Sequence, residues 1–373
     1  MQSEKKFISG FEECFGELED GRQQSKVDHP LIEILFLAVV AIAGSAFSWR
    51  MIESFGKAHL SILREYYPFK NGIPSDDTIR RVFEVLDPAG MGALLQKYFS
   101  INLSGEHIAI DGKTLRGSRY SGSRAIHFLN VYASCSGITL FGKEVDEKKN
   151  EISVIPEAID CLDIKGAIVT IDAMGCQRSI ASKIKDKGAD YVLGLKKNQA
   201  SLYYEVETAF ASNATKFFNM EVARTTDKGH GREEIRTCRI IRDFSKIPHS
   251  KDWPSIASVI EIKRKIATGG NIQESTSYYI SSSIAKAEKM MEIIRSHWNI
   301  ESMHWTLDVV FKEDASGAHK GNIPANLAIT RRFILNILNS IKTKKETRPT
   351  LMRMIGWSPD YLRRFINILM NYS

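Results

Sequence analysis

A chain of 373 residues with 51 Lys and Arg against 44 Asp and Glu carries a formal charge of +7. It is long enough for two or three domains, and the charge is a modest bias toward anionic partners such as nucleic acid. Its five cysteines form no CxxC pair, which argues against a disulfide framework or a cysteine-held zinc and fits a reducing cytoplasm. The longest apolar run, Leu31 to Ala46, contains Glu33 and falls short of the roughly 20 residues that a membrane-spanning helix needs. Residues 1–30 are polar and acidic, unlike a secretory leader. A soluble, intracellular protein without a membrane partner is expected.

Residues 1–100 read as helical. Asp28 is placed to cap the apolar helix that begins near Pro30, and a second helix covers Trp49 to Tyr67 and stops at Pro68. The turn-forming Asn71–Asp77 leads into a helix over Thr78–Leu86 that Asp87-Pro88 ends. Arg80 and Arg81 lie on that helix. Short helices around a tight turn suit a helix-turn-helix-like DNA-binding module, and generic helical packing gives the same pattern.

At Glu106 the period changes. His107–Asp111 is a short apolar strand ending on an acid, and further strands are predicted over His127–Ser134 and Ile138–Val145. A helix over Glu151–Leu162 leads to Ala167–Asp172, again an apolar strand ending on an acid. Then come a helix over 176–187 and a buried strand over Tyr191–Leu195. This order implies an α/β fold, a mixed sheet flanked by helices. Residues 217–282 turn to strands and read as a β-rich insertion. Arg295–Asp314 reads as one amphipathic helix, Ile323–Ile341 as another, and a basic linker (Lys342–Arg348) precedes a tail with a short helix.

Strand ends in α/β sheets are where ligands gather, so Asp111 and Asp172 are candidates for a shared site if their strands are neighbours. A third acid from a late helix would complete an all-oxygen site suited to Mg²⁺. Two such ions roughly 3.5–4 Å apart activate a nucleophilic oxygen and stabilise the leaving oxygen of a phosphodiester. On the late helix Glu301, His304, Trp305 and Asp308 share one face, which suits either a metal-holding helix or a core helix with its tryptophans buried. Lys113 and Arg116, just past Asp111, and Lys196, Lys197 and Asn198, just past the fifth strand, are placed to contact phosphates. No phosphate-loop or HExxH motif is present, and Glu301-x-x-His304 lacks the second copy that a di-iron bundle needs.

These stretches, among them KVDHPLIEILFLAVVAIAG, IAIDGKTLRGS, VTIDAMGCQ, KGADYVLGLKKNQ, HWNIESMHWTLDVVFKED and KGNIPANLAITRR, resemble the H-repeat-associated insertion-sequence transposases over nearly the whole chain. That group is a branch of the DDE transposases with a ribonuclease-H-like core. The resemblance implies Asp111, Asp172 and Glu301 as the catalytic and metal-binding triad, with Mg²⁺ or Mn²⁺ as cofactor and two ions expected. It implies cleavage of the element's double-stranded ends by water, and attack of the freed 3′-OH on target DNA, by a homodimer assembled on DNA in the cytoplasm, at the nucleoid. Arg295, His297, Trp298, Lys312 and Lys320 are expected to face DNA, with Trp305 packed near the metals. The expected domains are a helical, DNA-binding 1–100, a ribonuclease-H-like 104–341 interrupted by the β insertion, and a C-terminal 342–373. The wider group's signature tyrosine, arginine and lysine positions hold Ile294, His297 and Asp308 here, and arginines expected beyond Asp314 are replaced by Gly317 and Ala318. Two rival readings stand beside this one: a transposase that has decayed to DNA binding alone, and a ribonuclease-H-like nuclease without strand transfer.

Overall fold

Long apolar runs in the middle third of the chain set the architecture, because strands covered on both faces need no polar alternation. The computed structural model describes residues 10–99, 101–120, 124–145, 151–211, 220–229, 231–269, 271–343 and 345–371. Strands β1 (His107–Leu115), β2 (Ile126–Ala133) and β3 (Ile138–Val145) form an antiparallel meander. On the other side of β1, β4 (Ile168–Ile171) and β5 (Asp190–Leu195) add in parallel. Helices α6 (Glu151–Asp160) and α7 (Arg178–Asp186) make the crossovers. The order β3-β2-β1-β4-β5 is that of a ribonuclease-H-like core, as expected.

The insertion does not form a separate sheet. Its strands β6 (Glu221–Gly229), β7 (Arg232–Ile241), β8 (Ser258–Thr268) and β9 (Asn271–Ser281) continue the first one, since β9 pairs antiparallel with β5 from Val192↔Ser281 to Leu195↔Tyr278. The described residues therefore hold one nine-stranded sheet, β3-β2-β1-β4-β5-β9-β8-β7-β6. A helix that the sequence reading missed, α8 (Ala200–Ala211), leads from β5 toward the insertion. Of the expected insertion, 217–219, 230 and 270 lie outside the described residues, as do 344 in the linker and 372 in the tail.

The N-terminal helices are α1 (Gly10–Phe15), α2 (Leu31–Ala43), α3 (Trp49–Leu63), α4 (Asp76–Val85) and α5 (Pro88–Tyr98). Asp87-Pro88, read as a stop, also starts α5. The Asp87 carboxylate accepts from the N–H groups of Ala89 (3.1 Å) and Gly90 (3.0 Å), and proline suits the first turn. Arg80 and Arg81 pair with acids on their own helix, Asp77 and Glu84. Beyond the sheet, α11 (Ile323–Ile341) is buried except at Asn339 and Ser340, because β3 covers one side and α2, α4 and α5 the other. The tail forms two helices rather than one, α12 (Arg348–Trp357) and α13 (Pro359–Asn371), and folds back on the N-terminal helices. Tyr98 donates its hydroxyl to the Leu369 carbonyl at 2.5 Å, and Arg363 clamps Glu65. One hydrophobic core thus runs from Phe11 to Leu369. No helix among the described residues is long and apolar enough to cross a membrane.

Candidate active site

The parallel ladder between β1 and β4 ends at Ile110↔Ile171, so the next residues, Asp111 and Asp172, lie side by side where the two strands part. Asp111 does not end its strand as expected. Its other neighbour, β2, goes on pairing from Asp111↔Asn130 to Leu115↔Ile126 and holds β1 extended. Asp172 is fixed by a turn in which its Oδ1 accepts from the N–H groups of Met174 (3.0 Å) and Gly175 (3.4 Å). The adjoining strand has Gly194 here, where a Cβ would stand 3.1 Å from the Ala173 nitrogen, so β5 can approach this turn closely.

The single helix expected over Arg295–Asp314 is two, α9 (Ala287–Ser296) and α10 (Trp298–Val309), and the chain leaves the helical course by Lys312, whose φ is +55°. The break falls at His297. Its Nδ1 lies 2.8 Å from Thr170 Oγ1, which is also 2.8 Å from His107 Nε2. Burial pushes both imidazoles down to about 4, so they are neutral at physiological pH. His297, expected to face DNA, lines the same cleft as Asp172 and also ties the helix junction to β4 through Thr170.

That tie sets Glu301, in the first turn of α10, beside the sheet. Asp111, Asp172, Glu301, Lys196 and Trp298 line one cleft of about 420 Å³. Burial raises the Glu301 carboxyl above its ordinary value, and a cation beside it would lower that value again. Among the described residues no three His, Cys, Asp or Glu side chains converge closely enough to enclose an ion. The acids share a cleft without forming a finished cage. Carboxylate oxygens facing one space fit a hard divalent cation by donor chemistry, and Asp111, Asp172 and Glu301 are the residues that would hold it.

The basic residues divide. Lys196 lines the cleft, and Lys197 is exposed beside it. Asn198, expected at phosphates, gives its amide to the Ala173 carbonyl at 2.6 Å and secures the Asp172 turn. Lys113, expected at phosphates, points into the fold instead. It is buried with its ammonium 2.6 Å from Asp308, 3.1 Å from Asp314 and 3.5 Å from Glu313. The same pairing commits Asp308, the rival third acid, away from the cleft. Arg116 has an exposed side chain 3.7 Å from Asp314, whose Oδ1 also accepts from the Arg116 backbone N–H at 3.2 Å. Arg295 is exposed and paired with Asp227 at 2.9 Å. Lys312 and Lys320 are exposed on the segment after α10. Trp298 is 57% exposed at the cleft, whereas Trp305 is 61% exposed and does not border it, contrary to the packing expected near the metals.

Sequence reasoning missed a buried polar chain behind Asp111. Glu313 pairs with Arg332 at 2.8 Å, Arg332 Nε donates to Asn130 Oδ1 at 2.5 Å, and Asn130 Nδ2 lies 3.1 Å from His304 Nε2. His304 Nδ1 in turn stands 3.7 Å from Asp111 Oδ2. Burial first, then the nearby Arg332 and Lys113 cations, push His304 down to about 3. One signal was present: Arg331 and Arg332 interrupt an otherwise apolar helix, and a buried arginine requires an acid.

The profile described as "Transposase DDE domain" matches residues 102–337, and that described as "DDE_Tnp_1-associated" matches residues 12–99. The chain is 39% identical over 337 residues to "Putative transposase YncI" of Escherichia coli O157:H7, covering 87% of this chain and 86% of that protein. It is 37% identical over 356 residues to "H repeat-associated putative transposase YhhI" of Escherichia coli (strain K12), covering 92% of this chain and 94% of that protein. Among solved structures, a piggyBac transposase in a synaptic complex with hairpin DNA overlays with a TM-score of 0.47 and 12% identity, covering 96% of this chain and 81% of that one.

Proposed function

The chain belongs to the H-repeat-associated transposases with a DDE catalytic domain, and from that premise we propose that it cuts the ends of an insertion sequence and joins the freed 3′-OH to target DNA. The observation that carries this reading is the meeting of Asp111, Asp172 and Glu301 in one cleft, from two adjacent strands and one helix. Bound there, divalent magnesium or manganese supplies Lewis acidity toward the phosphodiester and its attacking oxygen.

The side chains divide the remaining work. Asp111 and Asp172 are held by the sheet and its turn, so they present a fixed negative edge to the cation. Glu301, from the helix that lines the same cleft, completes the charge. Lys196 and Lys197 draw the DNA backbone to the cleft, Arg116, Arg295, Lys312 and Lys320 extend the positive field around it, and Trp298 offers a face for a base. The helices of 1–100 are assigned to the element's ends, and two chains to the assembled complex.

The test uses the full-length protein with DNA carrying the terminal repeats that flank its gene. Strand nicking in Mg²⁺, absent in EDTA, is expected. Asp111→Asn, Asp172→Asn and Glu301→Gln are each expected to lose cleavage while melting like the parent, and a variant that cuts at the parent's rate removes that residue from the triad. Pre-cut 3′-OH ends should be joined to a target plasmid. Nicking without joining would favour a nuclease, and DNA binding without nicking a decayed transposase.

A further inference from the structure

Asn130 is fully buried on β2, in register with Asp111. Its amide can be oriented from its partners alone. Nδ2 donates to the Phe128 carbonyl at 3.1 Å, and Oδ1 accepts from Arg332 Nε at 2.5 Å, so a flipped amide would set donor against donor. Arg332 has no freedom to yield. It is wholly buried, its Nη1 donates to Glu313 Oε1 and to the Ala328 carbonyl, both at 2.8 Å, and its guanidinium lies 4.6 Å from the centre of the Phe128 ring.

The second Asn130 Nδ2 hydrogen therefore faces His304 Nε2 at 3.1 Å. An amide nitrogen accepts nothing, so Nε2 must be the unprotonated ring nitrogen, and the ring's N–H is at Nδ1. Nδ1 is the atom turned toward Asp111 Oδ2, at 3.7 Å. That is longer than a hydrogen bond, but a small side-chain rotation would close it, and the N–H dipole already favours the carboxylate.

We infer that His304 is a positioning residue for Asp111: Asn130, Arg332 and Glu313 lock it in the Nδ1–H tautomer, and that N–H orients one carboxylate oxygen of Asp111 for cation binding in the cleft. The ring acts as a donor and, with Nε2 engaged, is not a metal ligand through that nitrogen. The tautomer stands on hydrogen-bond geometry alone, while its use rests on the catalytic reading of Asp111. Outer partners of this kind typically change metal affinity or activity 10–100-fold.

Histidine-selective ¹⁵N labelling of the full-length protein, with long-range ¹H–¹⁵N correlation and assignment by loss of the signal in His304→Asn, reads the tautomer directly. The Nδ1–H form is expected, and an Nε2–H signal at His304 overturns the inference whatever the variants' metal affinity. Mn²⁺ binding followed by electron paramagnetic resonance gives the second arm. His304→Leu is expected to weaken it about 10–100-fold, whereas His304→Asn, whose amide nitrogen falls near the Nδ1 position, is expected to recover most of the loss. Parent-like Mn²⁺ affinity in His304→Leu, or equal loss in both variants, overturns the positioning role. Failure of the catalytic reading looks different: Asp111→Asn would then bind Mn²⁺ and cut DNA like the parent, with the Nδ1–H signal unchanged.

Discussion

Glu313→Gln keeps the size of a buried side chain and removes its charge. Glu313 is 2% exposed, and its carboxylate meets Arg332 at 2.8 Å, Lys113 at 3.5 Å and Arg331 at 3.9 Å. Lys113 keeps Asp308 and Asp314 after the change, but the two guanidinium groups, both buried, lose their only acid among the described residues. Removing one partner of a buried pair costs roughly 3–5 kcal/mol, against a whole-fold stability of roughly 5–15 kcal/mol. Urea unfolding of the variant should show that loss as a lowered midpoint with an unchanged slope. A loss below about 1 kcal/mol, the range of exposed pairs such as Arg363–Glu65, would refute the claim that this charge is shut off from water. Burial alone would raise the Glu313 carboxyl, but the Arg332, Arg331 and Lys113 cations hold it below its ordinary value. Its stabilisation is therefore complete above the unfolded pKa of about 4.3 and is lost as pH falls through the lower folded value. The difference between parent and variant should be flat from neutral pH to about 5 and shrink only in acid.

Three further outcomes follow from the same geometry. Lys113→Ala, which leaves three acids facing one another, should lower stability by about 1–3 kcal/mol; Lys196→Ala should leave stability unchanged but flatten the salt dependence of DNA binding by about 0.9 in log–log slope, as titrations at several salt concentrations would read. Trp298→Ala should weaken single-stranded DNA binding by about 1–3 kcal/mol and Trp305→Ala should not, since only Trp298 borders the cleft; equal losses in fluorescence titrations would contradict that assignment. His107 titrates near 4 in the fold because burial disfavours its charged form, and near 6.5 when unfolded. Between those values the unfolded chain binds the extra proton, so stability should fall by up to about 1.4 kcal/mol per pH unit on acidification, and His107→Gln should remove that component from the unfolding profile.

Much of the secondary structure was legible because it follows from local periodicity. The bounds of α11 come from an apolar helix between Asn322 and Lys342, and the strands over Ile138–Val145 and Tyr191–Leu195 from runs flanked by turn residues. The misreadings have local causes too. Asp87-Pro88 carries both a stop signal and a start signal, and only the packing of α5 against β3 and α11 selects the second. Arg295–Asp314 keeps a helical pattern through His297, where the backbone angles stay helical and the one-residue interruption coincides with that side chain's tie to Thr170, distant in sequence.

By itself the sequence established the order of the core strands, marked Asp111 and Asp172 as candidate acids and, through its resemblance, Glu301 as a candidate third. It did not determine which charges stay free. Lys113 and Lys196 look alike as basic residues just past a strand's catalytic end, yet one is enclosed by Asp308, Glu313 and Asp314 and the other lines the cleft. Nor did it single out Asn130 and His304, whose partners lie 202 and 174 positions away. Helix and strand patterns arise from steric and amphipathic rules acting within a few residues. The pairing of a buried charge depends on which distant segments exclude water from it, and only the packed structure decides that.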